Sequence, residues 1–540
     1  MIRFIPPIVY ALLALTVMRE ALAAGFLPGT WSGEAWGRAA VSSSILRWLS
    51  GADPIGSTAL LNWPDGLALW PIDPLLQLIA VPVEALLGGG AGVTAVMLVL
   101  LTLAGLGPYW LARSLQASPL SAGLVGLLVQ LTPYLLRNLM DAVVEVGAIG
   151  LVAIAVIGIR SALLSGTARA VLRAGLGILL VAGSSPYYAV YLMIGCAAAV
   201  LATPRLWRAW LKIAIIGAIA CAVALLPLWL AEGGDHGRFV EHAPSQGYQH
   251  APSPLVAGTL PAAAPAPMVR SGGRPPAWRR AIQRAPAGGA ILLAGLFGLI
   301  LPGGRRWVAL GLLFFLGGPG PDLIGRMVGI RGTPMDGPLL TLLNSLPLTN
   351  SLGNPTRMLA PFALLSAVGF GAAMTRRRWL GLPVAVLMLA EAFFTLPSLS
   401  IPATPTKAEA SVLAALEGPT VILPSGDFPI WSPVVAPKEA VFLAAQASVP
   451  IAADYGRQRI PSDVSIQLTL LQLAGAPYGA AAPQLPAIRA AQFDSLLLLE
   501  DRFAPDGLAR IRAWLEEQGG EELARGERSS AWRLSLAAPL

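Results

Sequence analysis

Apolar residues in this chain come in long, nearly unbroken runs, not in the narrow stripes of a soluble helix bundle or the alternation of half-buried strands. A helix that crosses a bilayer needs about 20 predominantly apolar residues. Runs of that kind predict eleven spans, near residues 4–24, 92–112, 118–136, 144–160, 171–184, 187–203, 211–231, 287–303, 307–325, 358–375 and 379–397. Three longer stretches, 25–91, 232–286 and 326–357, separate groups of spans. Within the first, residues 68–90 are apolar but interrupted by Pro71, Asp73, Pro74, Pro82 and Glu84. That pattern suits an interfacial or re-entrant helix better than a span. Residues 1–24 have a second reading as a signal peptide, because Ala21-Leu22-Ala23 resembles a cleavage site. Arg19 and Glu20 stand against it, where an apolar core should end cleanly.

Beyond about residue 400 the pattern changes to short elements of soluble type. Strands are expected at 420–424, 450–453, 495–499 and 532–536, and helices at 439–446, 462–473 and 505–518, the last stopped by Gly519-Gly520. Strands alternating with helices imply a small α/β layer. The chain therefore reads as a polytopic α-helical membrane domain, 1–400, followed by an α/β domain, 401–540.

Composition excludes the alternatives. Hydrophobic residues make up 55% and charged residues 12% of 540 residues, where globular chains are about 25% charged, and mean hydropathy is +0.67. The two cysteines, Cys196 and Cys221, both lie in apolar runs, so neither a disulfide framework nor a cysteine metal site is available. The net charge of +8 is not a nucleic-acid footprint. Residues 1–400 carry 26 Lys and Arg against 14 Asp and Glu, and residues 401–540 carry 11 against 15. The positive excess sits in short loops between spans, as the positive-inside rule requires. With the N-terminus cytoplasmic, Arg113, Arg160, Arg169, Arg173, Arg205, Arg208, Lys212, Arg305, Arg306 and Arg376–Arg378 all fall inside. The three long loops and the C-terminal domain then fall outside. Arg279-Arg280 is the exception, in a long loop where the rule is weaker.

The loop 25–67 carries the most suggestive chemistry. It reads Trp31-Ser32-Gly33-Glu34-Ala35-Trp36-Gly37-Arg38, then an amphipathic helix to Leu49, Gly51-Ala52-Asp53-Pro54 and Asn62-Trp63-Pro64-Asp65-Gly66. Asp53 and Asp65 are by default turn residues. Asp141 and Glu145 lie four apart where the third span emerges, which predicts one helix face; pairing with Arg137 would be their structural role. Arg357 opens the tenth span from outside, where its planar fork suits a phosphate or its stem reaches out of the bilayer. Tyr187 and Tyr188 stand at an outer turn and suit an interfacial aromatic belt. His236, His242 and His250 are too widely spaced for a compact metal site. No nucleotide-binding glycine loop or hydrolase nucleophile motif is present.

With those residues in view, the layout resembles the GT-C superfamily of membrane glycosyltransferases. The matching pieces are Gly33-Glu34, Trp36, Gly51-Ala52-Asp53-Pro54, Pro64-Asp65-Gly66, Tyr109–Arg113, Ser185-Pro186-Tyr187-Tyr188 and Asn354-Pro355-Thr356-Arg357. The resemblance implies a sugar moved from a polyprenyl-phosphate-linked donor to a glycan, lipid or protein acceptor at the outer face. It implies catalytic roles for Glu34, as general base or metal ligand, and for Asp141 or Glu145. Substrate contacts would come from Arg357, Asp53, Asp65 and Tyr187, and a divalent cation, Mg or Mn, is the one cofactor implied. Glu34 stands alone where the family often pairs two acids, which leaves its metal ligands unknown. Two other classes compete: a non-catalytic assembly or export component on the same scaffold, and a lipid or glycan transporter, which should show two related halves.

Overall fold

The computed structural model describes residues 5–24, 27–29, 34–60, 67–68, 71, 73–140, 142–232, 288–318, 337–345, 355–375, 377–395, 401, 408–423, 437–451, 493–503, 505–517 and 519–534. Asp65, Asp141, the three histidines and the helix expected at 462–473 lie outside these residues, as does the side chain of Glu34.

Among the described residues the membrane part is mainly helical. Its first elements are α1 (Ile5–Val17), α2 (Arg19–Ala23), α3 (Glu34–Ser50), the short pair β1 (Ser57–Thr58) and β2 (Leu67–Ala68), and α4 (Pro74–Leu87). There follow α5 (Ala91–Ser114), α6 (Pro119–Gln130), α7 (Pro133–Met140), a 3-10 turn (Val144–Ala148), α8 (Ile149–Ser165), α9 (Ala168–Ser184), α10 (Pro186–Ala202) and α11 (Trp207–Glu232). The set closes with α12 (Gly289–Ile300), α13 (Arg305–Gly317), α14 (Pro338–Ser345), α15 (Leu359–Met374) and α16 (Gly381–Thr395). A helix thus occupies each of the eleven expected positions. Among the described residues, three helical stretches, Ala91–Ser114, Val144–Ser165 and Pro204–Leu226, are each long and apolar enough to cross a bilayer alone. The others are shorter or broken. The expected span 118–136 is two helices bent by 45°, because Pro133 has no N–H to continue the ladder.

Close backbone approach holds these helices together. Apolar side chains gain little from leaving lipid for one another, so small residues that bring backbones together decide packing in a membrane. Gly107 on α5 meets Gly150 on α8 backbone to backbone, and Gly92 meets the Ala80 carbonyl of α4. A Cβ at any of these positions would fall inside van der Waals distance of the facing carbonyl. Tyr10 of α1 is buried against Gly105 and Gly126, donates to the Gly123 carbonyl at 3.0 Å and accepts from Gln130 Nε2 through its own carbonyl at 3.0 Å. The first helix is therefore an integral part of the bundle.

Two carboxylates inside apolar helices close helix ends. Glu84 accepts from the N–H groups of Gly90 and Gly92 at the start of α5, both at 3.0 Å. Glu391 of α16 accepts from Gly289 and Ala290 at the start of α12. A helix N-terminus leaves donors unsatisfied and carries partial positive charge, so a buried carboxylate is well placed there.

The C-terminal part contains α17 (Ala410–Ala414), β3 (Thr420–Leu423), α18 (Pro437–Ala447), β4 (Ser495–Leu499), α19 (Pro505–Glu517), β5 (Glu521–Arg525) and β6 (Ser529–Arg533). The four strands run in the order β3-β4-β6-β5, with β3 and β4 parallel and the remaining pairs antiparallel. Val421, Leu496, Leu498 and Trp532 form one buried face with Ile511, Trp514 and Leu515 of α19. Two expectations change. The closing strand ends at Arg533, and the fourth strand is the edge strand Glu521–Arg525. Pro450 and Ile451 form no strand; instead the Pro450 carbonyl accepts from Thr420 N–H at 2.8 Å and Ile451 N–H donates to Leu60 at 2.9 Å.

That last bond joins the two parts. Helix α18 packs along α3, and Phe442, Leu443 and Ala444 belong to the same buried cluster as Ala35, Trp36, Ala39 and Ala40. The helix expected to be amphipathic is therefore buried on nearly every side over its first half. It lies between the membrane bundle and the C-terminal domain.

Candidate functional site

The site is built where helices start. Asp73 precedes α4, Glu145 sits in the 3-10 turn that opens α8, Tyr187 and Tyr188 lie in the first turn of α10, and Arg357 lies in the 3-10 turn Pro355–Met358 that opens α15. Proline at the first position of α4 and α10 suits those starts, since the missing N–H would have had no partner there. Arg38 reaches the cluster from the second turn of α3.

These residues form one continuous chain of charge. Arg38 Nη1 donates to Asp73 Oδ2 and Arg38 Nη2 to Glu145 Oε2. Arg357 Nη2 meets Glu145 Oε1 at 2.8 Å. The Arg357 guanidinium also lies over the Tyr187 ring, with Cζ 3.6 Å from its centroid, a contact favoured by the negative face of the ring. On the far side Gln77 Nε2 donates to Asp73 Oδ1 at 3.0 Å, and Ser42 Oγ donates to Gln77 Oε1 at 2.9 Å. Negative and positive groups alternate as Asp73, Arg38, Glu145, Arg357, with the first three under 10% exposed. Buried charges are retained only when paired in this way.

One end of the chain is left open. Arg357 Nε and Nη1, Ser185 Oγ and Tyr188 Oη are buried and have no hydrogen-bond partner among the described residues. Nearly all buried polar atoms in folded proteins find partners. Two nitrogens of the Arg357 guanidinium are therefore buried donors suited to an anionic group.

The predicted residues distribute as follows. Glu145, Arg357 and Tyr187 come together. Glu34 is the first residue of α3, one helical turn before Arg38. Asp53 lies elsewhere, in a local knot: it accepts from Arg47 Nε at 2.8 Å, Arg47 Nη2 at 3.3 Å and Thr58 Oγ1 at 3.1 Å. Burial pushes its carboxyl up, but the Arg47 and Thr58 bonds outweigh that and hold it below the usual carboxylate range. The expectation for Asp141 falls outside the described residues; α7 ends at Met140, Ala142 has φ 55°, and Glu145 sits in the 3-10 turn that follows. That turn carries Glu145 to Arg38 and Arg357. Arg38, Asp73 and Gln77 were not predicted; their signal was two ionisable groups set in buried, largely apolar surroundings.

A divalent cation does not fit this arrangement. Among the described residues no group of three or more His, Cys, Asp or Glu could hold one. The carboxylates that do converge, Asp73 and Glu145, each give an oxygen to the same guanidinium.

No protein-family model matches the chain, and no curated protein does. Solved structures do match. The arabinofuranosyltransferase AftD from Mycobacteria aligns with 98% of this chain at 15% identity and a TM-score of 0.60. The oligosaccharyltransferase of Archaeoglobus fulgidus, solved with Zn and sulfate, aligns with 91% at 14% identity and a TM-score of 0.50. The chain spans 39% of the length of the first and 67% of the second. Low identity with near-complete coverage is a statement about architecture: the chain shares the fold of these membrane glycosyltransferase structures.

Proposed function

We propose that the protein is a glycosyltransferase that moves a sugar from a polyprenyl-phosphate-linked donor to an acceptor hydroxyl. The observation that carries this reading is Arg357, fixed by Glu145 and Tyr187 with two buried N–H groups unpartnered. The acceptor oxygen attacks the anomeric carbon, the bond from that carbon to the phosphate oxygen breaks, and polyprenyl phosphate leaves with one more negative charge. A preoriented guanidinium stabilises that charge as it develops. The starts of α8, α10 and α15 add their positive dipole ends. Glu34 takes the proton from the acceptor hydroxyl, and Glu145 holds Arg357 in place. Both Glu145 oxygens are engaged by guanidinium groups, one by Arg38 and one by Arg357. The basic loop clusters lie at the helix ends opposite Tyr187 and Arg357 along the chain, which supports a cytoplasmic N-terminus and a site at the outer face of a bacterial inner membrane. The test is sugar transfer by purified protein from polyprenyl-phosphate-linked sugars, comparing wild type with Arg357→Ala and Glu34→Gln. Full activity in both variants overturns the assignment.

A further inference from the structure

Two buried carboxylates from separate segments, Asp73 and Glu145, flank a single guanidinium and each bonds a different terminal nitrogen of it. Their remaining oxygens are also engaged, by Gln77 at 3.0 Å and by Arg357 at 2.8 Å. Holding two anionic side chains together in a low-dielectric setting requires a cation between them. A divalent ion bound by several oxygens is one way to meet this need. Here α3 supplies the cation as part of the chain.

We infer that Arg38 is a positioning residue that stands in the place of a divalent ion, holding Asp73 and Glu145 together and, through Glu145, aiming Arg357. Its fork is suited to the task, because one planar group offers two parallel donors where an ammonium offers a point charge. Among the described residues, two carboxylates and two guanidinium groups alternate in the network. Removing the guanidinium leaves two neighbouring buried carboxylates, which a divalent cation then restores. Sugar transfer itself rests on the function proposed above; the cation response does not.

The experiment uses the purified full chain and Mn2+ as probe. Thermal unfolding and direct Mn2+ binding are measured, after chelation, for wild type, Arg38→Met, Arg38→Lys and Arg38→Met combined with Asp73→Asn. Wild type is expected to bind no Mn2+ and to keep its unfolding midpoint. The Arg38→Met midpoint falls and rises again, saturably, with Mn2+; adding Asp73→Asn abolishes that response. Arg38→Lys keeps charge but not the fork, so it folds and transfers sugar roughly a hundredfold more slowly, as a small misplacement of Arg357 implies. Stabilisation of wild type by Mn2+, loss of wild-type transfer on chelation, or an Arg38→Met midpoint indifferent to Mn2+ each overturns the inference. Should Arg38→Met fail to fold, Mn2+ binding by wild type and transfer by Arg38→Lys still decide it. A chain that transfers no sugar from any donor refutes the proposed function and leaves the Mn2+ measurements valid.

Discussion

Arg357 and Glu145 meet at 2.8 Å although they belong to the starts of two different helices, α15 and α8. Each position in the site is thus fixed by a contact made outside its own helix. Arg357→Ala removes the group proposed to face the leaving phosphate. Losing one preoriented stabiliser costs roughly a hundredfold or more in kcat, and Arg357→Lys should recover only part of it. Single-turnover transfer assays separate this loss from weakened donor binding.

Glu34→Gln keeps shape and removes basicity. The proposed role predicts a fall in kcat of roughly a hundredfold or more with little change in donor binding. It also predicts that the acid limb of the pH–rate profile disappears. An unchanged profile would assign the proton transfer to another group.

Asp53 has its carboxyl held below the ordinary range in the folded chain. A depressed folded value contributes stability above the unfolded value, about 3.9, and that contribution is lost as pH falls through the folded value. Asp53→Asn should therefore be less stable than wild type at neutral pH, with the two converging in acid. Unfolding midpoints measured across that range check the sign.

Gly107→Ala and Gly150→Ala each insert a methyl group between α5 and α8 where backbones touch. Overpacking of this kind costs about 1–3 kcal/mol. Both variants should unfold at lower temperature in detergent, and the pair combined should not be additive, because the sites share one contact.

Much of the membrane architecture was legible because a bilayer imposes length and apolarity on each element separately. A helix lies at each of the eleven expected positions, but among the described residues only three stretches are long and apolar enough to cross a bilayer alone, and Pro133 breaks another run into two helices. The site was less legible. Arg38 lies 35 residues from Asp73 and 107 from Glu145, and no local pattern encodes such pairings. Glu145 sits in a 3-10 turn that follows Ala142, whose positive φ no spacing pattern announces. In the C-terminal sheet, Ser495–Leu499 is legible as an apolar run buried on both faces. Glu521–Arg525 is not, because an edge strand is free to be polar.

The seating of α18 against α3 has an engineering consequence. Grafting another tail onto this membrane part, or this tail onto another, would leave Trp36 and its alanine neighbours facing water or a mismatched surface. Functional hybrids with related proteins should then arise only when the hairpin after the first helix travels together with the tail, so the two segments form a single exchangeable unit despite some 400 intervening positions.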